Sequence, residues 1–119
     1  YISFKEHLTV DQTLNELRRL KPESDTIYYL YVVDDEERLT AVLSLRDLVV
    51  AEPWTRLDQI MNRKIIFVYD TDPINSLVEI ISKYSLLAIP VVDREMKMMG
   101  MVIIDDVVYE LLKPKKRKL

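Results

Sequence analysis

Apolar and polar residues in the first half of the chain follow a strand-like spacing and then a helical one. A short strand candidate at residues 1–4 precedes Thr9 and Gln12, which have the spacing of a capping box at a helix start. Apolar residues then recur every three or four positions, which predicts one buried stripe along the helix. The stripe consists of Val10, Leu14 and Leu17, with Leu20 as a further candidate.

Three further elements complete the first half. Residues 26–33 are rich in β-branched and aromatic side chains and predict a strand, and the acidic residues 34–37 predict a turn after it. A second strand at residues 39–43 leads into a helix at residues 45–50. The predicted order is therefore strand, helix, strand, strand, helix.

The second half of the chain begins in the same way. Residues 64–69 are a strand candidate, and Asp72 followed by Pro73 predicts a helix with a cap residue and a proline in its first turn. The spacing of apolar residues again predicts a core face on this helix. That face consists of Ile74, Leu77, Val78 and Ile81.

Two strands and a helix are predicted to follow. The first strand, at residues 86–92, contains Pro90, which predicts an edge position or an irregular pairing because proline has no amide hydrogen to donate. Residues 98–103 are its hairpin partner, and residues 105–112 form the closing helix.

The two halves match each other at a constant offset, which indicates an internal duplication. Most matches lie 59 residues apart, whereas the first helices match at 63, so the first copy carries four extra residues between helix and strand. We expect an α/β fold (α+β-like) of two βαββα units packed with pseudo-two-fold symmetry. The matching positions are Val32, Val33 and Asp34 with Val91, Val92 and Asp93; Ala41 with Gly100; Asp47 with Asp106; and Leu14 with Leu77.

Composition narrows the class of protein. The chain has 119 residues, no cysteine and one histidine, His7, which excludes a thiolate metal site and a cysteine nucleophile and argues against a histidine-rich zinc site. The net charge is −3, but five basic residues lie in 113–119, and without them the balance is −8. An acidic body argues against nucleic-acid binding. The chain has neither an apolar run long enough to span a membrane nor a signal peptide. Because it begins without methionine, we expect a fragment of a longer protein.

The duplicated units resemble a pair of CBS motifs, also called a Bateman module. The resemblance rests on a Val-Val-Asp segment and a hairpin strand in each unit, followed in the first unit by the pattern Ser/Thr-x-x-Asp, of which the second unit keeps the aspartate. Residues 27–34, 43–48, 57–61 and 87–93 extend it to the CBS region of MgtE-type magnesium transporters. We divide the chain into a first CBS motif at residues 1–53, truncated at its N-terminus, a second at residues 54–112, and a basic tail at residues 113–119.

The resemblance implies a function that residue spacing alone does not. It implies a regulatory, non-catalytic module on the cytoplasmic side of the cell membrane, in a multi-pass protein, between an N-terminal domain and the membrane pore. It further implies that the module dimerises with its copy in another subunit and that Mg²⁺ favours a compact arrangement, and in some members of the family ATP binds between the two CBS motifs. The alternative is a CBS pair that senses adenine nucleotides for a different transporter or for an enzyme.

One candidate nucleotide site follows from the resemblance. Ser44 would lie near phosphate, Arg46 would pair with phosphate, Asp47 would bind the ribose hydroxyls, and Tyr29 would pack against adenine. Ser44 and Asp47 also have the spacing of a capping box, and from spacing alone that interpretation is preferred.

The second copy of this motif is altered. Ile103 stands where a hydroxyl is expected, although Asp106 is still placed to contact ribose, and Leu86 stands where relatives can carry an aromatic residue. We therefore expect at most one good nucleotide site, around the first motif.

The metal ligands stay unassigned. Acidic residues are densest at 34–37 and 105–106, and such a run in a hairpin turn is most often a solvated loop. Several positions that carry acidic ligands in transporter relatives are not acidic here, namely Pro73, Asn75, Ser85 and Tyr109.

Other classes of function are less well supported. The single glycine, Gly100, excludes a glycine-rich phosphate loop, and there is no nucleophile elbow, so we expect no enzyme. The basic tail superficially resembles a nuclear-import signal; a solvated tail is preferred, and a basic segment near lipid is the third interpretation.

Overall fold

The computed structural model describes residues 1–22, 29–84 and 86–104. These residues form six strands, three α-helices and one 3₁₀ turn. The elements are β1 (Ser3–Lys5), α1 (Val10–Leu20), β2 (Leu30–Val33), β3 (Leu39–Leu43), α2 (Leu45–Val50), the 3₁₀ turn Leu57–Gln59, β4 (Val68–Tyr69), α3 (Ile74–Lys83), β5 (Ala88–Val92) and β6 (Met98–Ile103).

The strands form two three-stranded sheets with the same topology. The first has the order β1-β2-β3 and the second the order β4-β5-β6. In each sheet the first pair is parallel and the second antiparallel, with Ser3 opposite Tyr31 and Leu30 opposite Leu43 in the first sheet. The corresponding pairs of the second sheet are Val68 with Val91 and Ala88 with Ile103. The mixed α/β fold and its duplication are confirmed. The predicted closing helix at residues 105–112 lies outside the described residues.

The duplication extends to the two hairpin turns. Asp34 Oδ1 accepts hydrogen bonds from the amides of Glu36 and Arg38, at 3.0 and 2.9 Å. Asp93 Oδ1 accepts the equivalent bonds from Glu95 and Lys97, at 2.8 and 3.0 Å. Each turn also holds a non-glycine residue in the left-handed region, at Glu37 and Met96, with φ of 66° and 67°. These two residues are 59 positions apart, so the repeat found in the sequence is also a repeat of backbone conformation.

The first repeat encloses its own core. Helix α1 and the 3₁₀ turn cover one face of the first sheet, and Leu48 contributes from α2. Burial of these apolar side chains is the main stabilising contribution to the repeat. The buried members of this cluster are Phe4, Val10, Leu17, Leu30, Val32, Ala41, Leu43, Leu48 and Leu57.

A second cluster joins the two repeats. Tyr31 and Leu39 of the first repeat pack with Val92 of the second, and all three are at most 4% exposed. The hairpins also meet through their backbones, because the amide of Leu39 donates to the carbonyl of Met96 at 2.7 Å. The repeats therefore share an apolar seam, and the candidate site lies along it.

Helix α1 begins as predicted and buries most of the predicted stripe, since Val10 and Leu17 are buried and Leu14 packs against the core. The capping box is present: Thr9 Oγ1 accepts from the amide of Gln12 at 3.1 Å, and Gln12 Oε1 accepts from the amide of Thr9 at 2.9 Å. Leu20 is 44% exposed, so its predicted place in the stripe is wrong. It is the last helical residue, and Lys21 turns the chain away in the left-handed conformation. Thr13 is fully buried instead, with its hydroxyl satisfied by the carbonyl of Thr9.

Helix α3 does not begin at the predicted cap. Pro73 occupies the N-cap position and the helix starts at Ile74, one residue later than a cap at Asp72 requires. Asp72 Oδ2 accepts from the amide of Tyr69 at 2.9 Å, so its carboxylate closes the preceding turn. The predicted core face is only half-buried at Leu77, Val78 and Ile81, and Ile74 is exposed.

The strands of the second sheet also differ from prediction. β4 has two residues rather than the six predicted from 64–69. Pro90 lies in β5, which is the central strand, so the predicted edge position is wrong. β4 pairs with β5 only at Val91 and Val92, and Pro90 therefore needs no amide on that side. The register of β5 with β6 shifts between the same two residues, which is the irregular pairing expected.

Candidate functional site

A cleft of about 240 Å³ lies between the two repeats. Its two walls come from the middle strands, β2 and β5, and the residues just before them. The lining residues of each wall are alternate positions, because alternate residues of a strand face the same side. Tyr29 and Tyr31 form one wall, and Leu86, Ala88 and Pro90 form the other. The remaining lining residues are Val42, from β3, and Asn62, Lys64, Ile65 and Ile66, from the segment that connects the repeats.

The cleft is mostly apolar, with a few polar groups. Tyr31 is 1% exposed, and its hydroxyl contacts Met101 Sδ at 4.0 Å. Burial, with a smaller contribution from Tyr29, raises the pKa of Tyr31, so its phenol stays protonated and acts as a donor. An apolar cleft with few polar groups suits a flat ligand held by contact area and oriented by hydrogen bonds.

The connecting segment is fixed against the first sheet. The amide of Val42 donates to the carbonyl of Asn62 at 3.0 Å, and the amide of Asn62 donates back at 2.9 Å. Asn62 Oδ1 also accepts from the amide of Lys64 at 3.0 Å. Asn62 and Lys64 are thus held at the cleft, and our sequence analysis missed both. The signal available was a polar segment directly before an apolar run at the junction of the repeats.

Ser44 and Asp47 form a capping box at the start of α2. Ser44 Oγ accepts from the amide of Asp47 at 3.1 Å, and Asp47 Oδ2 accepts from the amide of Ser44 at 3.1 Å. The capping interpretation of this spacing is therefore confirmed. Neither residue is among those that line the cleft, but Ser44 continues the face of β3 that carries Val42. The start of α2 thus lies beside the cleft rather than inside it.

The other predicted site residues fall into three groups. The structure brings Tyr29 and Leu86 together across the cleft, both partly buried. Arg46 is an exposed residue in the first turn of α2. Asp106 lies outside the described residues. A role for any of these residues in binding remains a prediction.

The acidic turn at residues 34–37 is structured by its own residues. Asp34 Oδ2 pairs with Arg38 Nε at 2.8 Å, and Lys5 pairs with Glu37 at 2.5 Å. Hydrogen bonds from the backbone and then the side chain of Arg38 lower the pKa of Asp34. Within the described ranges, no group of three or more acidic or histidine side chains could hold a metal ion. Asp105 and Asp106 lie outside those ranges.

Residues 1–53 and residues 57–113 each match the family model for the CBS domain. The chain belongs to the CBS domain family. The two CBS matches fall on the two halves that the internal repeat defines.

The chain is similar to the CBS region of known magnesium transporters. It is 46% identical to the magnesium transporter MgtE of Thermus thermophilus over 108 residues, which cover 90% of this chain and 24% of that protein. The chain thus spans about a quarter of that relative's length. The predicted resemblance to MgtE-type CBS regions is confirmed.

Solved structures show the same relationship. The cytosolic domain of the Mg²⁺ channel MgtE, in complex with ATP, matches with a TM-score of 0.85 and 44% identity, over 91% of this chain and 44% of that one. The soluble part of a magnesium transporter matches with a TM-score of 0.88 and 33% identity, over 97% and 44%. The tandem CBS fold is therefore confirmed.

A weaker similarity joins the CBS pair to an enzyme. The homoserine O-acetyltransferase of Methanosarcina acetivorans is 28% identical over 94 residues, which cover 77% of this chain and 17% of that protein.

No helix in the described part of the chain combines the length and apolar character needed to cross a bilayer.

Proposed function

We propose that the chain is the regulatory, non-catalytic CBS module of a magnesium transporter, gating ion flux in response to Mg²⁺ and binding an adenine nucleotide between its two CBS motifs. The observation that carries this proposal is the similarity to MgtE across nine-tenths of the chain. The ATP complex of a related cytosolic domain supports the choice of ligand. The module acts on the cytoplasmic side of the membrane, next to the pore and the N-terminal domain of its parent.

The proposed ligand pose uses both the cleft and the start of α2. Adenine packs between Tyr29 and Leu86, where an aliphatic partner in place of an aromatic one gives weaker stacking. The ribose hydroxyls donate to Asp47, and the phosphates extend towards Ser44 and Arg46. A carboxylate accepts through both oxygens, so Asp47 keeps its capping bond while it accepts from ribose.

One nucleotide per chain is expected rather than two. Ile103, 59 residues after Ser44, is the last residue of β6 and pairs with Ala88 in the sheet. Its aliphatic side chain offers phosphate no hydrogen bond. Asp106 remains a candidate ribose contact from the second repeat, and it does not replace the missing hydroxyl.

Calorimetric titration with ATP, ADP and AMP tests the nucleotide site. The wild type is compared with Asp47→Ala, and Gln12→Ala serves as the matched control because Gln12 makes the same capping contact at α1. Gln12→Ala loses a cap without losing affinity, whereas Asp47→Ala loses both. Equal affinity in the wild type and Asp47→Ala rules out this site.

We further propose that two copies of the module associate through their CBS motifs. Four apolar side chains on α2 and the loop after it support this, because a cluster of exposed apolar groups is typical of an association surface. We call this cluster the α2 patch; its members are Leu45, Val49, Val50 and Trp54, which are 37%, 67%, 69% and 74% exposed.

Mg²⁺ is proposed to favour the associated, compact form, with ligands that stay unassigned. Sedimentation velocity and thermal melting with and without millimolar Mg²⁺ test this directly. If neither the dimerisation nor the melting temperature of the module changes, direct sensing by this piece alone is not supported.

A second candidate is a CBS pair that senses nucleotides for an enzyme or for another transporter. The similarity to a homoserine O-acetyltransferase favours it, although identity and coverage are lower than for MgtE. The coding sequence of the parent protein distinguishes the two: an acidic helical domain before the pair and several membrane helices after it support the transporter, and an enzyme domain supports the alternative.

A further inference from the structure

Tyr31 is a buried residue on the wall of the cleft, with a hydroxyl that makes one weak hydrogen bond. The residue is 1% exposed and pairs with Val42 in the sheet, and both line the cleft. Among the described residues, the hydrogen-bond partner of its hydroxyl is Met101 Sδ, at 4.0 Å. A thioether is a weak acceptor, so a good donor lies buried against a poor partner.

A buried hydroxyl gains most from a nitrogen or oxygen acceptor, because leaving water without such a partner costs free energy. The walls of the cleft are aromatic and aliphatic, and a flat ring inserted between Tyr29 and Leu86 would lie next to the side chain of Tyr31. Ring nitrogens of a purine lie in the ring plane and accept hydrogen bonds there.

We propose that Tyr31 is a specificity-determining residue of the cleft, whose hydroxyl donates a hydrogen bond to an acceptor atom of the bound ring system. This inference rests on the proposed nucleotide function and identifies the Tyr31 hydroxyl as the group that recognises the base. Without a ligand, the hydroxyl of Tyr31 donates to Met101 Sδ. When a ligand binds, its acceptor atom replaces Met101 Sδ as the partner of the hydroxyl. The residue thereby selects rings with a correctly placed acceptor over purely apolar rings of the same size.

The repeat shows that this donor is present on one wall only. The position 59 residues after Tyr31 is Pro90, which faces the same cleft and has neither a hydroxyl nor an amide hydrogen. The two strands therefore present different chemistry to one ligand. A ring bound between them receives this hydrogen bond from the side of the first repeat.

Calorimetric titration of Tyr31→Phe with ATP tests the proposal. Removing one neutral hydrogen bond is expected to weaken ATP binding about five- to tenfold. Tyr69→Phe, which removes a hydroxyl from a strand outside the cleft, is the matched control and keeps wild-type affinity. The 1-deaza, 3-deaza and 7-deaza analogues of ATP each lack one ring nitrogen and so identify the acceptor. The analogue that lacks the acceptor should bind the wild type as weakly as ATP binds Tyr31→Phe. Its affinity should not fall further in the Tyr31→Phe variant.

Met101→Leu gives a second test that does not alter the tyrosine. Without the sulfur contact the hydroxyl is freed for the ligand, so ATP affinity stays the same or rises. ATP affinity equal in the wild type and Tyr31→Phe overturns the role of Tyr31 while the nucleotide site stands. If the wild type binds no ATP at all, both the site and the role of Tyr31 are overturned.

Discussion

The two capping boxes give a matched pair for testing how the start of α2 is held. Thr9 caps α1 and Ser44 caps α2 through bonds of the same kind, each at 3.1 Å to the amide three residues on. The helices they cap differ in size. α1 has 11 residues and buries three of them, whereas α2 has six residues and buries only Leu48.

Replacing either cap residue with alanine removes one hydrogen bond to an otherwise free amide. Such a change costs about 1 kcal/mol on average, within a range of about 0.5–2 kcal/mol. Because α1 is held by more buried contacts, we expect Thr9→Ala to cost about 1 kcal/mol through the lost cap alone. We expect Ser44→Ala to cost about 2 kcal/mol, since a six-residue helix has little other support.

Urea denaturation of the two variants and the wild type measures these costs. The dependence of the unfolding free energy on urea should be equal in all three proteins, so that shifts in midpoint report stability. A Ser44→Ala protein as stable as the wild type would show that the cap does not hold α2. A larger loss for Thr9→Ala than for Ser44→Ala would refute the argument from helix length.

Three further predictions concern the core, the acidic turn and the α2 patch. Leu48→Ala should cost about 2–5 kcal/mol in urea denaturation of the monomer, because Leu48 is fully buried, whereas Val49→Ala, which is exposed in the monomer, should stay within about 0.5 kcal/mol there. Asp34→Asn keeps the oxygen that accepts the turn hydrogen bonds but removes the negative charge beside Arg38. The folded-state pKa of Asp34 lies below its ordinary 3.8, so the ionised carboxylate stabilises the folded protein. That stabilisation is present above about pH 3.8 and is lost as the pH falls through the folded-state pKa. The stability difference between Asp34→Asn and the wild type should therefore shrink on acidification, and a difference that stays constant down to pH 2 contradicts it. Trp54→Glu should weaken self-association in sedimentation velocity without lowering the melting temperature of the monomer, and an unchanged association constant excludes the α2 patch as the contact.

Local sequence signals predicted much of the fold because they depend on neighbouring residues. The capping boxes and the hairpins are patterns over a few positions, and the repeat is the recurrence of such local patterns 59 residues further on; all are present in the structure. The errors arise where distant contacts decide. β4 is short because its strand pairing is limited to Val91 and Val92. Thr13 is a different case, because its burial rests on a local bond to the carbonyl of Thr9 that hydrophobic spacing does not take into account.

The candidate site was predicted in part for the same reason. The motif around Ser44 and Asp47 is local, and its capping role follows from spacing alone. The cleft wall depends on which strand faces which, so the sequence did not indicate that Tyr31 opposes Pro90 or that Asn62 ties Lys64 to the cleft. A buried tyrosine in a strand is usually a core residue, and only the seam between the repeats places Tyr31 at a cavity.

A crystal structure of the module grown with ATP and Mg²⁺ tests the proposed nucleotide site most directly. We expect one nucleotide per chain, with adenine between Tyr29 and Leu86 and the ribose hydroxyls on Asp47. ATP bound elsewhere on the module, or a cleft that stays empty at saturating ATP, would contradict it.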